Sequence, residues 1–402
     1  MNTQITESDG SLTEPKAGGN NKEKRRRRFL LFLLVVLLFQ VVCVYTLAAR
    51  YIVRPEPLPD MVPGLAQLNY PPHYMFSIYG VDKPVGVAVS PQGDRIYVAE
   101  TGGQRLVKMF NLDGKDIGSF APPRTTPAQR SPVYLTADSS GRVYVADRLQ
   151  HAVFLYDQTG KYMDTILAPN LTLSRYVSGQ LNGASTGAPY AFNQFEQYVY
   201  YQTGGAAEQT LPTPVPSHWA PLGVRVVKGG ELLLTDLTTD HHTVRAIPAQ
   251  WIVGPSLQGF DPPETLFGGS GQGNGQFLFP NTAVADSRGR IYVTDGNNAR
   301  ISVWDGQGRF LMHLGKGVGD SALSLPRGAA IDSHDRLHVA DAVGQSVKVY
   351  DVSKSEPAFL FSFGEWGQGN GQFNCPNDVG LDGSGRLYVV DRENDRVQVW
   401  SY

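Results

Sequence analysis

Six acidic residues recur in one local setting, each closing a short apolar run: Glu100, Asp147, Asp236, Asp295, Asp341 and Asp391. A ring of carboxylates is raw material for a metal site or for acid–base chemistry. The spacing points elsewhere. Glu100–Arg105, Asp295–Arg300 and Asp391–Arg396 share a five-residue step across one loop, where a carboxylate accepts hydrogen bonds from loop N–H groups and an arginine fork. These acids are expected to be structural. Asp138, Asp286 and Asp382 open Asp-x-x-Gly-Arg turns that lack the alternating oxygens and final Glu of a calcium loop; they read as hairpin turns. His334 and His338 are four residues apart, about 13 Å along a strand and too far to share a zinc ion without a bend. His151, His241 and His242 carry no ligand spacing of their own. No Gly-x-Ser-x-Gly elbow, phosphate loop or Cys-x-x-Cys pair is present. Gly-Gln-Gly-Asn-Gly-Gln-Phe, at 271–277 and again at 367–373, lacks the Lys-Ser/Thr of a phosphate loop and reads as a flexible connection.

The elements that must position these residues are strands. The 402 residues include 44 Gly and 27 Pro, and interior Gly and Pro cost a helix about 1 and 3 kcal/mol each. Hydrophobic content of 41% with 18% charged residues also excludes bulk disorder. One segment differs. Residues 29–49 hold 21 positions without a charge, and as a helix they span about 31 Å, enough for a bilayer core. A cleaved signal peptide is the rival, but its apolar region runs to about 7–15 residues. We read an uncleaved signal anchor. Arg25–Arg28 place its N-terminal flank in the cytoplasm and export the rest. Residues 1–28 then form a basic disordered tail, and 50–69 a proline-rich linker. Net charge divides accordingly: seven Lys/Arg against four Asp/Glu in 1–28, and 28 against 33 in 50–402. An acidic exported domain is a poor match for nucleic acid. Cys43 falls in the apolar segment and Cys375 far beyond it, so no disulfide joins them.

From about residue 70 the chain repeats one grammar: a Pro, an apolar run, a Gly turn, a run ending in an acid, and a third run. The anchor prolines are Pro84, Pro132, Pro221, Pro280, Pro326 and Pro376, spaced by 48, 89, 59, 46 and 50 residues. The long gap places an insertion at about 168–216, with an eroded seventh repeat as the alternative. Four strands per repeat of about 45–50 residues fit a β-propeller. The last repeat ends after its third strand, and residues 75–80 resemble the fourth strand at 360–364, so an N-terminal strand is expected to close the ring.

The pattern Gly-Arg-[Ile/Leu/Val]-Tyr-Val-x-Asp followed by Asn-x-Arg-[Ile/Val]-x-Val-[Trp/Tyr] resembles the NHL repeat. That resemblance implies an all-β, six-bladed propeller over about 70–402. It also implies that residues after the anchor prolines line one mouth of a central channel: Val85, Val133, Leu222, Asn281, Arg327 and Asn377. Some NHL-type propellers are lyases that hold zinc through histidines near the channel; none of these six is His, so that site does not carry over. Blades with Ala152 and Ser346 in place of the repeat's Arg, and with Arg245 nine residues after Asp236, depart from the pattern locally.

Two candidate contact surfaces follow. Asn281, Arg327, Asn377 and Asp378 would form a polar cluster at the channel mouth. Tyr190, Phe192, Tyr198 and Tyr200 give the insertion an aromatic surface of the kind interfaces favour. The expected function is a membrane-anchored extracytoplasmic scaffold binding a protein, peptide or glycan partner, with no cofactor. The alternative is an exported metal-dependent lyase or lactonase-like hydrolase using calcium or zinc in the channel.

Overall fold

The computed structural model describes residues 19–53, 70–123, 125–168, 171–172, 219–227, 229–238, 241–248 and 265–402. Tyr190, Phe192, Tyr198 and Tyr200, most of the expected insertion and most of the expected linker lie outside these residues.

The chain forms two units, divided after Glu56. The first contains one helix, Gly19–Val53. Its Arg25–Tyr45 segment of 21 residues contains an 18-residue window of mean hydropathy 2.5, none of it buried, so it is long and apolar enough to cross a membrane. The helix exceeds the expected 29–49. Residues 19–28, expected in a disordered tail, are helical, because Lys, Arg and Glu are good helix formers continuous with the apolar run.

In the second unit the described strands form six sheets of four or five strands and a two-stranded parallel ladder of Glu365–Trp366 with Gln372–Phe373. Each larger sheet is one blade, and the innermost strands are Pro84–Val89, Pro132–Ala137, Pro221–Val226, Pro280–Ala285, Pro326–Ile331 and Pro376–Leu381. We number the blades 1–6 in that order. The last blade is completed by His73–Ile78, which pairs antiparallel with Arg396–Ser401. The closing strand begins two residues before the expected position. It covers an edge that would otherwise offer unpaired N–H and C=O groups.

Every anchor proline lies opposite the acid that ends the second strand of its blade: Pro84–Glu100, Pro132–Asp147, Pro221–Asp236, Pro280–Asp295, Pro326–Asp341 and Pro376–Asp391. Proline brings no N–H to the ladder, and the acid serves the chain just before it. Glycines let the innermost strands converge. A Cβ on Gly86 would stand 2.2 Å from the Val133 carbonyl oxygen, and one on Gly223 2.1 Å from that of Asn281.

The core lies between blades. Trp304 packs on Phe267 and Phe277, with ring centroids 4.7 and 5.4 Å away. Trp400 repeats this with Phe363 and Phe373 at 4.8 and 5.8 Å. Phe277 and Phe373 end the two Gly-Gln-Gly-Asn-Gly-Gln-Phe segments, which are not the loose connections their composition suggests. Arg300 donates to the carbonyls of Gln272, Gly273 and Gln276, while Arg396 donates to those of Gly369 and Gln372.

Candidate functional site

The six acids are structural struts. Asp295 accepts from the Leu278 N–H at 2.6 Å, Asn298 Nδ2 at 2.8 Å and Arg300 Nε at 2.9 Å. Asp391 accepts from the Asn374 N–H, Asn394 Nδ2, Arg396 Nε and Gln398 Nε2. Asp147, without an arginine at 152, accepts from the N–H groups of Ser131, Leu149 and Gln150, and burial raises its carboxyl to about 6. Glu100 departs from expectation. Its cation is Lys108 at 3.6 Å, while Arg105 turns to the carbonyls of Thr101, Pro127 and Arg130. Arg245 meets Asp236 at 3.2 Å despite the longer spacing, because an extended hairpin, Glu231–Thr238 with His241–Pro248, brings it back. The Asp-x-x-Gly-Arg turns are hairpins: Asp286 Oδ1 accepts from the N–H groups of Arg288 and Arg290, and Oδ2 from Arg290 Nε and the Tyr292 hydroxyl.

The residue before an anchor proline is normally extended. In three blades it is left-handed instead: Lys83, Phe279 and Cys375 have φ of 47°, 66° and 59°. A neighbouring blade holds each one. The Lys83 N–H donates to Asp395 Oδ1 at 2.9 Å, that of Phe279 to His242 Nδ1 at 3.3 Å, and that of Cys375 to Gln345 Oε1 at 2.8 Å. His242 thus has a structural task. His338 is fully buried, with Nε2 2.6 Å from the Tyr402 hydroxyl, while His334 is exposed in a turn.

Above the innermost strands opens a cavity of about 470 Å³. All six residues that follow the anchor prolines line it, and Thr101, Ser131, Arg148, Phe279, Asn297, Cys375 and Arg392 join them from the loops at the same end. Phe279 and Cys375 enter the lining from the left-handed position before an anchor proline, and Ser131 enters from the same position without a positive φ. Arg148 and Arg392 come from the positions immediately after the acids Asp147 and Asp391. The spacing of those acids marked that loop, but not the direction of the next side chain.

Of the expected polar cluster, Asn281, Arg327 and Asn377 meet at this cavity. Asn281 Nδ2 donates to the carbonyls of Phe279 and Pro326, and its Oδ1 accepts from Arg327 at 3.0 Å. Asn377 Nδ2 donates to the Val85 carbonyl at 2.6 Å. Asp378 is not part of the mouth. It is fully buried, because adjacent side chains on a strand leave by opposite faces. Its Oδ1 pairs with Arg225 Nη2 at 2.5 Å and its Oδ2 accepts from the Val87 N–H at 3.0 Å. Arg225 belongs to blade 3 and Asp378 to blade 6, so the pair ties opposite sides of the ring across the channel. Tyr134 joins the two layers: it lines the cavity, its hydroxyl meets Asn377 at 3.4 Å, and its ring lies 6.0 Å from the Arg225 guanidinium carbon.

Arg148 and Arg327 make the cavity basic, Arg392 lines it while paired with Glu393, and among the described residues no Asp or Glu lines it. The Arg148 and Arg327 guanidinium carbons lie 5.8 and 5.9 Å from the centre of the Phe279 ring, within cation–π range. Among the described residues no three His, Cys, Asp or Glu side chains are placed to hold a metal ion.

The NHL repeat model matches residues 277–304 and 373–400, the third-to-last and last blades of the ring. A streptogramin B lyase structure is similar, with a TM-score of 0.50 and 11% identity, covering 81% of this chain and 96% of that one. A protein of unknown function from Bacteroides thetaiotaomicron has a TM-score of 0.50 and 13% identity, with 82% and 72% covered. A catalytically inactive virginiamycin B lyase from Staphylococcus aureus, in complex with quinupristin, has a TM-score of 0.47 and 13% identity, with 81% and 98% covered. The two likenesses at a TM-score of 0.50 carry the fold alone.

Proposed function

We propose that this chain, a six-bladed propeller carrying NHL repeats, is a membrane-anchored binding scaffold. Its propeller lies outside the cytoplasm and seats a protein, peptide or glycan partner of the cell envelope at the arginine-lined cavity. The observation that carries this proposal is convergence: every blade contributes the residue after its anchor proline to one cavity. Such a seat is rigid, because each of those residues begins a paired strand rather than a free loop, and concave sites with a few polar groups are where ligands bind. The apolar helix segment Arg25–Tyr45 and the basic flank Arg25–Arg28 support display outside the membrane with the N-terminus inside. A metal-dependent enzyme, the alternative class, would need ligands that the described residues do not bring together.

The test is crosslinking in the intact envelope, comparing wild type with the double variant Arg148→Glu/Arg327→Glu. The reading predicts a captured partner that the double variant loses while remaining folded by near-ultraviolet circular dichroism. Equal capture by a folded double variant would remove the cavity from the account.

A further inference from the structure

Blade order divides the cavity wall into two halves, and from this we infer that the site takes an amphiphilic anion, an apolar body carrying an oxyanion head group. The inference rests on the binding proposal above and specifies its ligand. In blades 1 to 3 the residue after the anchor proline is Val85, Val133 and Leu222; in blades 4 to 6 it is Asn281, Arg327 and Asn377. These blades follow one another around the ring, so the strand-start positions are aliphatic along one side and polar along the facing side, while Arg148 joins them from the loop of blade 2 and Phe279 from the turn before blade 4. The aliphatic wall gains by covering apolar surface, about 25 cal/mol per Å² removed from water.

The arginines that reach the cavity from blades 2 and 5 select charge. Asn281 and Asn377 spend their amides on backbone carbonyls and on Arg327. The charged donors left for a ligand are guanidiniums. Arg392 is engaged by Glu393 at 2.6 Å. Arg148 and Arg327 have no carboxylate partner among the described residues; instead both lie against the Phe279 ring. Two unneutralised forks beside an apolar wall, in a cavity without a carboxylate, suit a carboxylate or a phosphate. They repel a cation and give a neutral group little.

The experiment uses the full chain in lipid nanodiscs, with empty nanodiscs as reference, and isothermal titration of 2-naphthoate, 2-naphthyl phosphate, 2-naphthamide and acetate. At least one naphthyl anion should bind tenfold or more tightly than both 2-naphthamide and acetate. The tighter anion tells carboxylate from phosphate. Arg327→Gln and Arg148→Gln should each weaken that anion about tenfold and leave the amide unchanged, as expected for loss of one charge-assisted bond. Leu222→Trp should block every naphthyl compound by filling the aliphatic side. Equal binding of amide and anions, or anion binding indifferent to both arginine variants, overturns the anionic assignment while leaving the cavity as a seat. Binding of no naphthyl compound, or binding that Leu222→Trp does not affect, overturns the seat as well.

Discussion

Replacing Arg225 by Met tests how the ring is tied across its channel. The guanidinium meets fully buried Asp378 and also donates to the Leu135 carbonyl at 2.6 Å. Met matches the stem of the side chain but removes the charge. Asp378 would then keep the Val87 N–H and face no cation. Removing one member of a buried ion pair costs about 3–5 kcal/mol. At about 2.1 cal/mol/K per residue, a unit of this size unfolds with an entropy of roughly 0.7 kcal/mol/K, so the melting temperature should fall by about 4–7 °C. The loss has a pH signature. Burial already pushes the Asp378 carboxyl above its usual range, and Arg225 pulls it down; without Arg225 it must rise further. A carboxyl raised in the folded state contributes stability at low pH that is lost as pH climbs through the folded value. The deficit against wild type should therefore be largest near pH 8 and shrink towards pH 5. The double variant Arg225→Met/Asp378→Asn should recover most of the loss, since no unpaired charge remains. Thermal melts followed by tryptophan fluorescence, with Trp219, Trp304 and Trp400 all buried, read each case. A melting temperature unchanged in Arg225→Met, or a double variant as unstable as the single one, would refute the strut.

Three further outcomes are expected. Gly86→Ala would put a Cβ 2.2 Å from the Val133 backbone oxygen and should cost about 3 kcal/mol by overpacking, whereas Ala at Gly269, with nothing within 4 Å, should cost far less; urea midpoints compare them. His338, held at about 4 by burial against an ordinary 6.5, contributes stability that is present above 6.5 and lost as pH falls towards 4. This amounts to at most about 3 kcal/mol. A His338→Leu variant should therefore improve by about that much relative to wild type between pH 7 and pH 4, and a pH-independent difference would refute it. At left-handed Cys375, Gly should be more stable than Ala by about 1 kcal/mol, measured by denaturant unfolding; equal stabilities would argue against that backbone conformation.

The ring was legible because its signals are local and repeated. Each anchor proline announces an innermost strand, each Gly turn a hairpin, and each acid the end where the next loop must be capped. Closure was legible because residues 75–80 resemble the outer strand at 360–364, and His73–Ile78 indeed pairs with Arg396–Ser401. The cavity was half legible. Asn281, Arg327 and Asn377 follow from their place after a proline. Phe279 and Cys375 do not, since residues before proline are expected to be extended and here turn left-handed under caps from neighbouring blades. Arg105 misled because its spacing to Glu100 matches the pairs at Asp295 and Asp391, yet the carbonyls of Pro127 and Arg130 lie closer to hand. Asp378 adjoins Asn377 in sequence and so suggests a mouth residue, although one step along a strand reverses the side chain.

A partner bound at the cavity would touch the ring at its loop end. Amide hydrogen exchange on the full chain, with and without the partner captured in the envelope, measures this most directly. It should show slowed exchange in the segments around Thr101, Arg148, Asn297 and Arg392, which line the cavity. The hairpin turns at Asp138, Asp286 and Asp382, at the other end of the strands, should be unchanged. Protection confined to those turns, with the cavity loops exchanging as before, would contradict it.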